Sequence, residues 1–434
     1  MVRTRIIVST LVAASILPVA FANVAKAQED PARGSTVTDR PRPETDPLGL
    51  RAGSFIIFPS ISVTELFRDN IYFVDEGDSI SPNDEQGDFI TVLSPQLLIQ
   101  SDWSNHALNF FGDADLGGYA INSDENYSDW HVGTSGRIDI TRDTNIAARF
   151  DLANRHESRG SPDDVDGKHP IFYSLYGPTA TFTHRFNRVT VEVEGVYTRY
   201  DFEDVQTGVN GDLGVLAEGE IDTDDRDRKE AEGSVRLAYE IVPEYEAFVR
   251  GAYNDRNYDN AVDNDGFDRD SHGWDVVGGV AIDLTGITFA NVFAGYRRQS
   301  YDDAQFGTVQ GPSFGADITW NVTDLTTVKA EVSRTVEEST LVDASGFLAT
   351  RIAASVDHEL LRNLILSAEG SYQLNDYDGN AREDELLRAA VQAKYLMHRN
   401  FYVSVGYDFQ NRESNFINQN YTVNTLMIRL EGQL

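Results

Sequence analysis

The sequence predicts an all-β protein: a single transmembrane, antiparallel, up-and-down β-barrel of about eighteen strands, or sixteen if one hairpin merges. Three observations carry this. Apolar residues recur at period two over most of the chain, very short turns alternate with long acidic loops, and the chain opens on a segment suited to export. They divide it into a signal peptide (1–27), a flexible periplasmic lead-in (28–50) and a barrel (51–434).

Taken in order, the first element is the export segment. Arg3 and Arg5 precede an apolar run from Ile6 to Ala22, and Ala25-Lys26-Ala27 has the small-x-small form of a signal-peptidase site. Pro18 interrupts the run, which argues against a retained anchor helix. Losing Arg3, Arg5 and Lys26 takes the formal charge from −34 to −37. Such acidity excludes a nucleic-acid partner. Cysteine is absent, which excludes disulfides, thiolate zinc sites and a lipidated N-terminal cysteine. Gln28 to Pro47 is rich in Pro, Asp, Arg and Thr without apolar period, and reads as lead-in.

From Leu48 onward the period is two, which places successive side chains on opposite faces of a strand. Val189, Val191, Val193, Gly195 and Tyr197 oppose Thr190, Glu192 and Glu194. Leu387, Ala389, Val391, Ala393 and Tyr395 oppose Arg388, Gln392 and Lys394. Phe401, Val403, Val405, Tyr407 and Phe409 oppose Ser404, Gly406, Asp408 and Gln410. Each strand is apolar on one side and polar or charged on the other.

Tight turns occur at Ser104–His106, Arg142-Asp143, Asn187-Arg188, Val242–Glu244, Thr285-Gly286, Thr323-Asp324, Arg362-Asn363 and His398–Asn400. Between them lie long acidic loops centred near residues 78, 124, 163, 213, 264, 303, 341, 380 and 416. Eight turns interleaved with nine loops require eighteen strands. The alternation also resolves VVGGVAIDLTGITFANVFAG (Val276 to Gly295), which has the length of a membrane helix. It reads instead as a hairpin about Thr285-Gly286, with Val276, Gly278, Val280 and Ile282 on one face. After the turn, Ile287 and Phe289 compete with Ala290, Val292 and Ala294 for the outward set.

Segregation of short turns to one rim and long loops to the other, with an apolar outside and polar inside, marks outer-membrane barrels rather than sandwiches. Trp103 and Trp320 near tight turns, and Trp130 and Trp274 near long loops, fit interface anchors at both membrane surfaces. The last strand ends the chain with Leu426, Ile428, Leu430, Gly432 and Leu434 on one face, the form read by the outer-membrane insertion machinery. Pro59, Pro95, Pro178 and Pro312 fall inside strands, where bulges or a place near a rim are expected. The predicted setting is the outer membrane among lipid and lipopolysaccharide, with the N-terminus periplasmic.

Five segments carry a family resemblance: LGLRAGSFIIFPSISV (Leu48 to Val63), SDWSNHALNF (Ser101 to Phe110), YSDW (Tyr127 to Trp130), RGSPDD (Arg159 to Asp164) and THRFNR (Thr183 to Arg188). They resemble the putative β-barrel porin 2 family of outer-membrane proteins, common in α-proteobacteria. The resemblance implies an outer-membrane barrel, often encoded beside exopolysaccharide export functions, and so polysaccharide-export proteins as partners. It supplies no catalytic residues.

Candidate pore-lining residues are the charged members of the inward sets: Glu192, Glu194, Glu246, Arg250, Asp275, Lys329, Glu331, Arg388 and Lys394. Either they line an aqueous path, or they pair across strands and satisfy one another. DNAVDNDGFDRD (Asp259 to Asp270) has the look of a calcium loop, but both end ligands are missing, so no metal is expected. RGSPDD reads as a solvated turn. No cofactor is implied, and with scattered histidines and no HExxH, catalysis is not expected.

Three readings follow. The preferred one is a passive conduit for export of a surface polysaccharide; the others are a cation-preferring general diffusion porin and a plugged structural or adhesive barrel. An inward-folded loop favours the porin, and Glu203 to Thr223, with Val209, Leu213, Val215 and Leu216, is long enough to supply one. Aromatics spaced along the lumen favour a sugar path.

Overall fold

A computed structural model describes residues 35–75, 85–207, 219–284, 286–339, 341 and 344–434. The expected signal peptide, residues 28–34 of the lead-in, the loop centre near 78, Val209, Leu213, Val215 and Leu216, and Thr285 lie outside the described residues.

The strands are, in order, β1 (Leu50–Ala52), β2 (Phe55–Arg68), β3 (Asp88–Ser101), β4 (Ala107–Tyr119), β5 (Tyr127–Thr141), β6 (Thr144–His156), β7 (Phe172–Phe186) and β8 (Val189–Phe202). Two short ones, β9 (Val205–Gln206) and β10 (Glu220–Ile221), pair with each other in a loop. Then come β11 (Arg228–Val242), β12 (Tyr245–Tyr258), β13 (Ser271–Leu284), β14 (Thr288–Tyr301), β15 (Thr308–Thr323) and β16 (Thr326–Glu338). The last five are β17 (Gly346–Leu361), β18 (Leu364–Asp378), β19 (Glu383–His398), β20 (Phe401–Ser414) and β21 (Tyr421–Gln433). Leaving aside β1, β9 and β10, eighteen strands of 13 to 16 residues pair with their neighbours in chain order, antiparallel throughout. The barrel closes where β2 meets β21, from Ser60 opposite Gln433 to Arg68 opposite Thr425. Closure joins the first wall strand to the last, the arrangement by which a sheet can cross a bilayer.

The pleat sorts the side chains as the period predicted. Val276, Val280, Leu387, Val391, Val405, Leu426 and Ile428 are exposed on the outer face. Glu192, Arg250, Arg388 and Lys394 sit on the opposite, lumenal set. The ambiguous strand after Gly286 is settled too: Ala290, Val292, Ala294 and Tyr296 point outward, leaving Phe289, Phe293 and Arg297 inside.

Of the two accommodations expected of the prolines, the place near a rim holds for Pro59, and the other three form no bulge. Pro59 lies at the short-turn rim, where its carbonyl accepts the N–H of Leu434. Pro95, Pro178 and Pro312 face outward in unbroken register with one neighbour, while the ladder on the other side lapses. A missing N–H removes bonds on one side only, so a local lapse suffices. The register shifts fall beside the tight turns instead, as at Glu240/Val242 and Leu396/His398.

The lead-in also departs from the expected flexible segment. Its described part, Ser35 to Asp46, packs inside the short-turn end of the lumen, where Val37 is buried against Ile365, Leu396 and Tyr402. Those three belong to inward sets that are otherwise polar, so an apolar seat waits at that level of the barrel.

Candidate functional site

The lumen has three levels. At the short-turn end, Arg42 donates to Glu359 Oε2 (3.0 Å) and to the Val37 carbonyl (2.7 Å), both buried. The N–H of Val37 donates to Thr327 Oγ1 at 2.9 Å, Arg399 donates to the Pro43 carbonyl and the Tyr402 hydroxyl to the Thr45 carbonyl. These bonds tie the segment to β16, β17 and β20, which with β18 and β19 form one continuous arc of the wall, so it lies along that side of the lumen.

The nine residues picked from the alternation all lie on inward sets, spread from Glu246 beside a tight turn to Asp275 towards the long-loop end. Most are paired. Arg236 stands opposite Glu192 and donates to Glu246 at 2.5 Å, while Arg250 donates to Glu232 at 3.0 Å. Glu194 accepts from the Thr181 hydroxyl. Asp275 lies 3.6 Å from Arg297, Arg388 bonds Asp408 (2.7 Å), and Lys394 bonds Glu431 (3.1 Å). Lys329 and Glu331 follow each other on the inward set of β16. On the opposite wall His131 bridges Asp113 (3.0 Å) and Asp151 (2.8 Å) across three strands. The wall is thus a ladder of alternating charges, most of them paired across neighbouring strands.

At the long-loop end the path narrows. The segment from Glu157 to Ile171, between β6 and β7, turns over the mouth. Arg159 is buried and grips Glu125 with two bonds, Nε to Oε2 (3.0 Å) and Nη2 to Oε1 (2.7 Å), and donates to the Gly167 carbonyl. Arg412, from β20, donates to the carbonyl of Gly160 at 3.2 Å. Gly160 must be glycine here, because a Cβ would stand 2.7 Å from the Phe73 ring. Between this loop and the far wall remains a cavity of about 160 Å³, lined by Pro162, Asp163, Tyr200, Arg228, Tyr258 and Phe347 among others. RGSPDD is therefore the inward-folded segment rather than a solvated turn. Burial of Arg159 with its partner Glu125, which lies on another loop, is the physical reason.

Other arginines hold the remaining loops. Arg226 makes two bonds to Glu157 and stacks over Phe202; Arg228 bonds Glu230 and covers Tyr200; Arg382 bonds Asp384 over Tyr377. Arg256, on β12, pairs with Glu338 at the long-loop end of β16. A guanidinium can be buried when a carboxylate takes its N–H edge and an aromatic ring takes its face. Inspection of spacing alone passed over these residues. The available signal was a basic and an acidic residue two apart, hence on one face of a strand, as in Arg228/Glu230 and Arg382/Asp384.

In Asp259 to Asp270, Asp263 accepts from Arg269 at 2.6 Å and from the N–H groups of Asp265 and Phe267. A guanidinium stands where a calcium ion would. Asp204, Asp222 and Asp224 form an exposed acidic group with oxygens within 4.8 Å of one another. Trp130, Trp274 and Trp320 lie on outward sets, and Trp103 sits in a turn edge-on to Phe55.

A family model described as putative beta-barrel porin 2 matches residues 42–434. No curated protein matches the chain. Among solved structures, it is similar to OccK3 (OpdO) of Pseudomonas aeruginosa, with 12% identity over 87% of this chain and 95% of that one and a TM-score of 0.42. It is similar also to OccK9 (OpdG) of the same organism, at 10% identity over 88% and 98% with a TM-score of 0.44. A third is the siderophore receptor PirA from Acinetobacter baumannii, at 8% over 86% and 80%, TM-score 0.43.

Proposed function

The chain belongs to the putative beta-barrel porin 2 family, and from that premise we propose a narrow, passive diffusion channel for small hydrophilic solutes. The family makes it an outer-membrane transport barrel rather than an enzyme. The observation that carries the finer reading is the Glu157–Ile171 loop held across the long-loop mouth by Arg159 and Arg412. The cavity it leaves, about 160 Å³, is close to the roughly 150 Å³ that holds one benzene-sized ring. In this reading the nine charged wall residues line the aqueous path, and the four tryptophans sit at the two membrane interfaces.

The first test is permeation. Liposomes carrying the intact protein should swell in a monosaccharide and not in a hexasaccharide, and a salt gradient across a planar bilayer should give a reversal potential favouring cations, as the acidic balance demands. Equal passage of both sugars would remove the narrow-channel reading.

The pH response follows from Asp164 in the same loop. Burial pushes its carboxyl up to about 7, with Arg159 opposing and Glu157 and Asp166 adding to the rise. In the released loop it returns towards the ordinary value of 3.8. Packing of the loop must then take up a proton between those values, so closure is firmest below about pH 4, weakens as pH rises to about 7 and then levels off. Conductance should be lower at pH 5 than at pH 7.5, flat from there to pH 9, and lose this dependence in Asp164→Asn. A flat wild-type profile from pH 5 to 7.5 would show that Asp164 does not set closure.

Polysaccharide export stands as the second reading, favoured by the family resemblance. Lumenal aromatics are present, but Tyr200, Phe202, Tyr301, Phe347, Tyr377 and Tyr421 are buried near the long-loop mouth rather than exposed along the path. A deletion strain separates the readings. Polymer trapped in the periplasm, with restoration by the intact gene, belongs to export; normal surface polymer with slower small-solute uptake belongs to the channel.

A further inference from the structure

The longest lapse in the strand ladder, well beyond those beside Pro95 and Pro178, lies between β15 and β16. β15 and β16 pair from Gly315 opposite Ser333 to the turn, but not above it. Thr308 to Phe314 pair only with β14, and Arg334 to Glu338 only with β17. Backbone groups that face across the seam lack a strand partner, although the Val336 carbonyl accepts from Arg256 at 3.4 Å, and hydrocarbon supplies no substitute for the rest.

An arginine stands at this parted seam on the lipid side. Arg334 shares the outward set of Val328, Ala330 and Val332, and its guanidinium lies 6.0 Å from the Phe314 ring. Its Nε is buried without a hydrogen-bond partner among the described residues. A cation on the lipid-facing set costs least near an interface and marks a functional position by default. Arg334 lies four residues from the long-loop end of β16; Trp274 and Trp130 lie three from the corresponding ends of β13 and β5. All three are at the level where lipid headgroups begin. On the other side of β15, Arg298 also points outward and is exposed, opposite Gln310. Between the two arginines the outward face of the seam is apolar: Pro312, Phe314, Val332 and Val336.

We propose that the parted seam between β15 and β16 is a binding site for a phosphorylated, acylated lipid of the outer leaflet. Arg334 and Arg298 hold the phosphate groups, an acyl chain lies over Pro312, Phe314 and Val336, and the lipid's hydroxyl and amide groups meet the unpaired backbone. Charge complementarity selects this occupant: a neutral lipid leaves Arg334 unsatisfied, and a second barrel would set arginine against arginine.

The test is native mass spectrometry of the full chain in detergent, with diphosphoryl lipid A, its dephosphorylated form and phosphatidylcholine as probes. Wild type and Lys229→Gln, an outward lysine already paired with Asp259, should retain the diphosphoryl lipid. Arg298→Gln/Arg334→Gln should bind it at least tenfold more weakly, with no protein retaining the other two probes. Heat-modifiable gel mobility shows that the variants are folded barrels. Should the arginine variant fail to fold, the cysteine-free chain allows Pro312→Cys/Val336→Cys, whose disulfide draws the edges together. Oxidation should release the lipid and reduction restore it. Equal retention by the arginine variant, equal retention of dephosphorylated lipid, or retention in the oxidised pair would each overturn the proposal.

Discussion

Replacing Arg159 by alanine should raise single-channel conductance severalfold while the barrel stays folded. Arg159 is only 4% exposed and gives Glu125, itself 3% exposed, two bonds from one guanidinium. Truncation leaves a buried carboxylate without a cation, a change of about 3–5 kcal/mol against the packed loop. At about 1.4 kcal/mol per tenfold, that shifts the ratio of closed to open loop by more than a hundredfold. The wall should not notice, because the ladder of eighteen strands is independent of the loop. Arg159→Lys should fall between, since an ammonium cannot make the paired geometry. Gly160→Ala is the control for loop placement without charge loss: its Cβ would press on Phe73 and lift the loop. Conductance in Arg159→Ala equal to wild type would show that this loop does not limit flow.

The second large effect is expected at the other mouth. Arg42→Ala should release the Ser35–Asp46 segment, because Glu359, 2% exposed at its side chain, then faces the same penalty of about 3–5 kcal/mol. Val37 would leave its seat on Ile365, Leu396 and Tyr402, exposing an apolar patch to water. A chain with residues 35–46 removed should reproduce the result. The two mouths lie in series with the long-loop mouth the narrower, so Arg42→Ala alone leaves that limit in place. Arg42→Ala should therefore add little to wild type but multiply the conductance of Arg159→Ala. Purely additive increments would show two parallel paths instead, and protease protection of residues 35–46 in Arg42→Ala would show that the segment is held without the ion pair.

The strand count, the alternation of turn lengths, the inward and outward sets and the all-β membrane class were legible in order along the chain. Each is local: a side chain's face follows from counting by two, and a turn of two or three residues forces its strands to be neighbours. Where the local pattern was balanced, as at Phe289 against Ala290 and Val292, the register waited for pairing with β15. Pro59 lies near a rim as expected, but the accommodation of Pro95, Pro178 and Pro312 was not legible, because a one-sided lapse depends on which neighbour a residue's N–H faces.

The sequence by itself determined that this chain is a closed barrel with an apolar outside and a charged lumen, since period-two sorting needs no knowledge of distant residues. Only the tertiary structure decided how far that lumen is open. Arg42 and Glu359 are 317 residues apart, Arg412 and the Gly160 carbonyl 252. No spacing rule connects them. Closing the wall brings them within reach, and burial then makes each guanidinium take the acceptor that happens to face it.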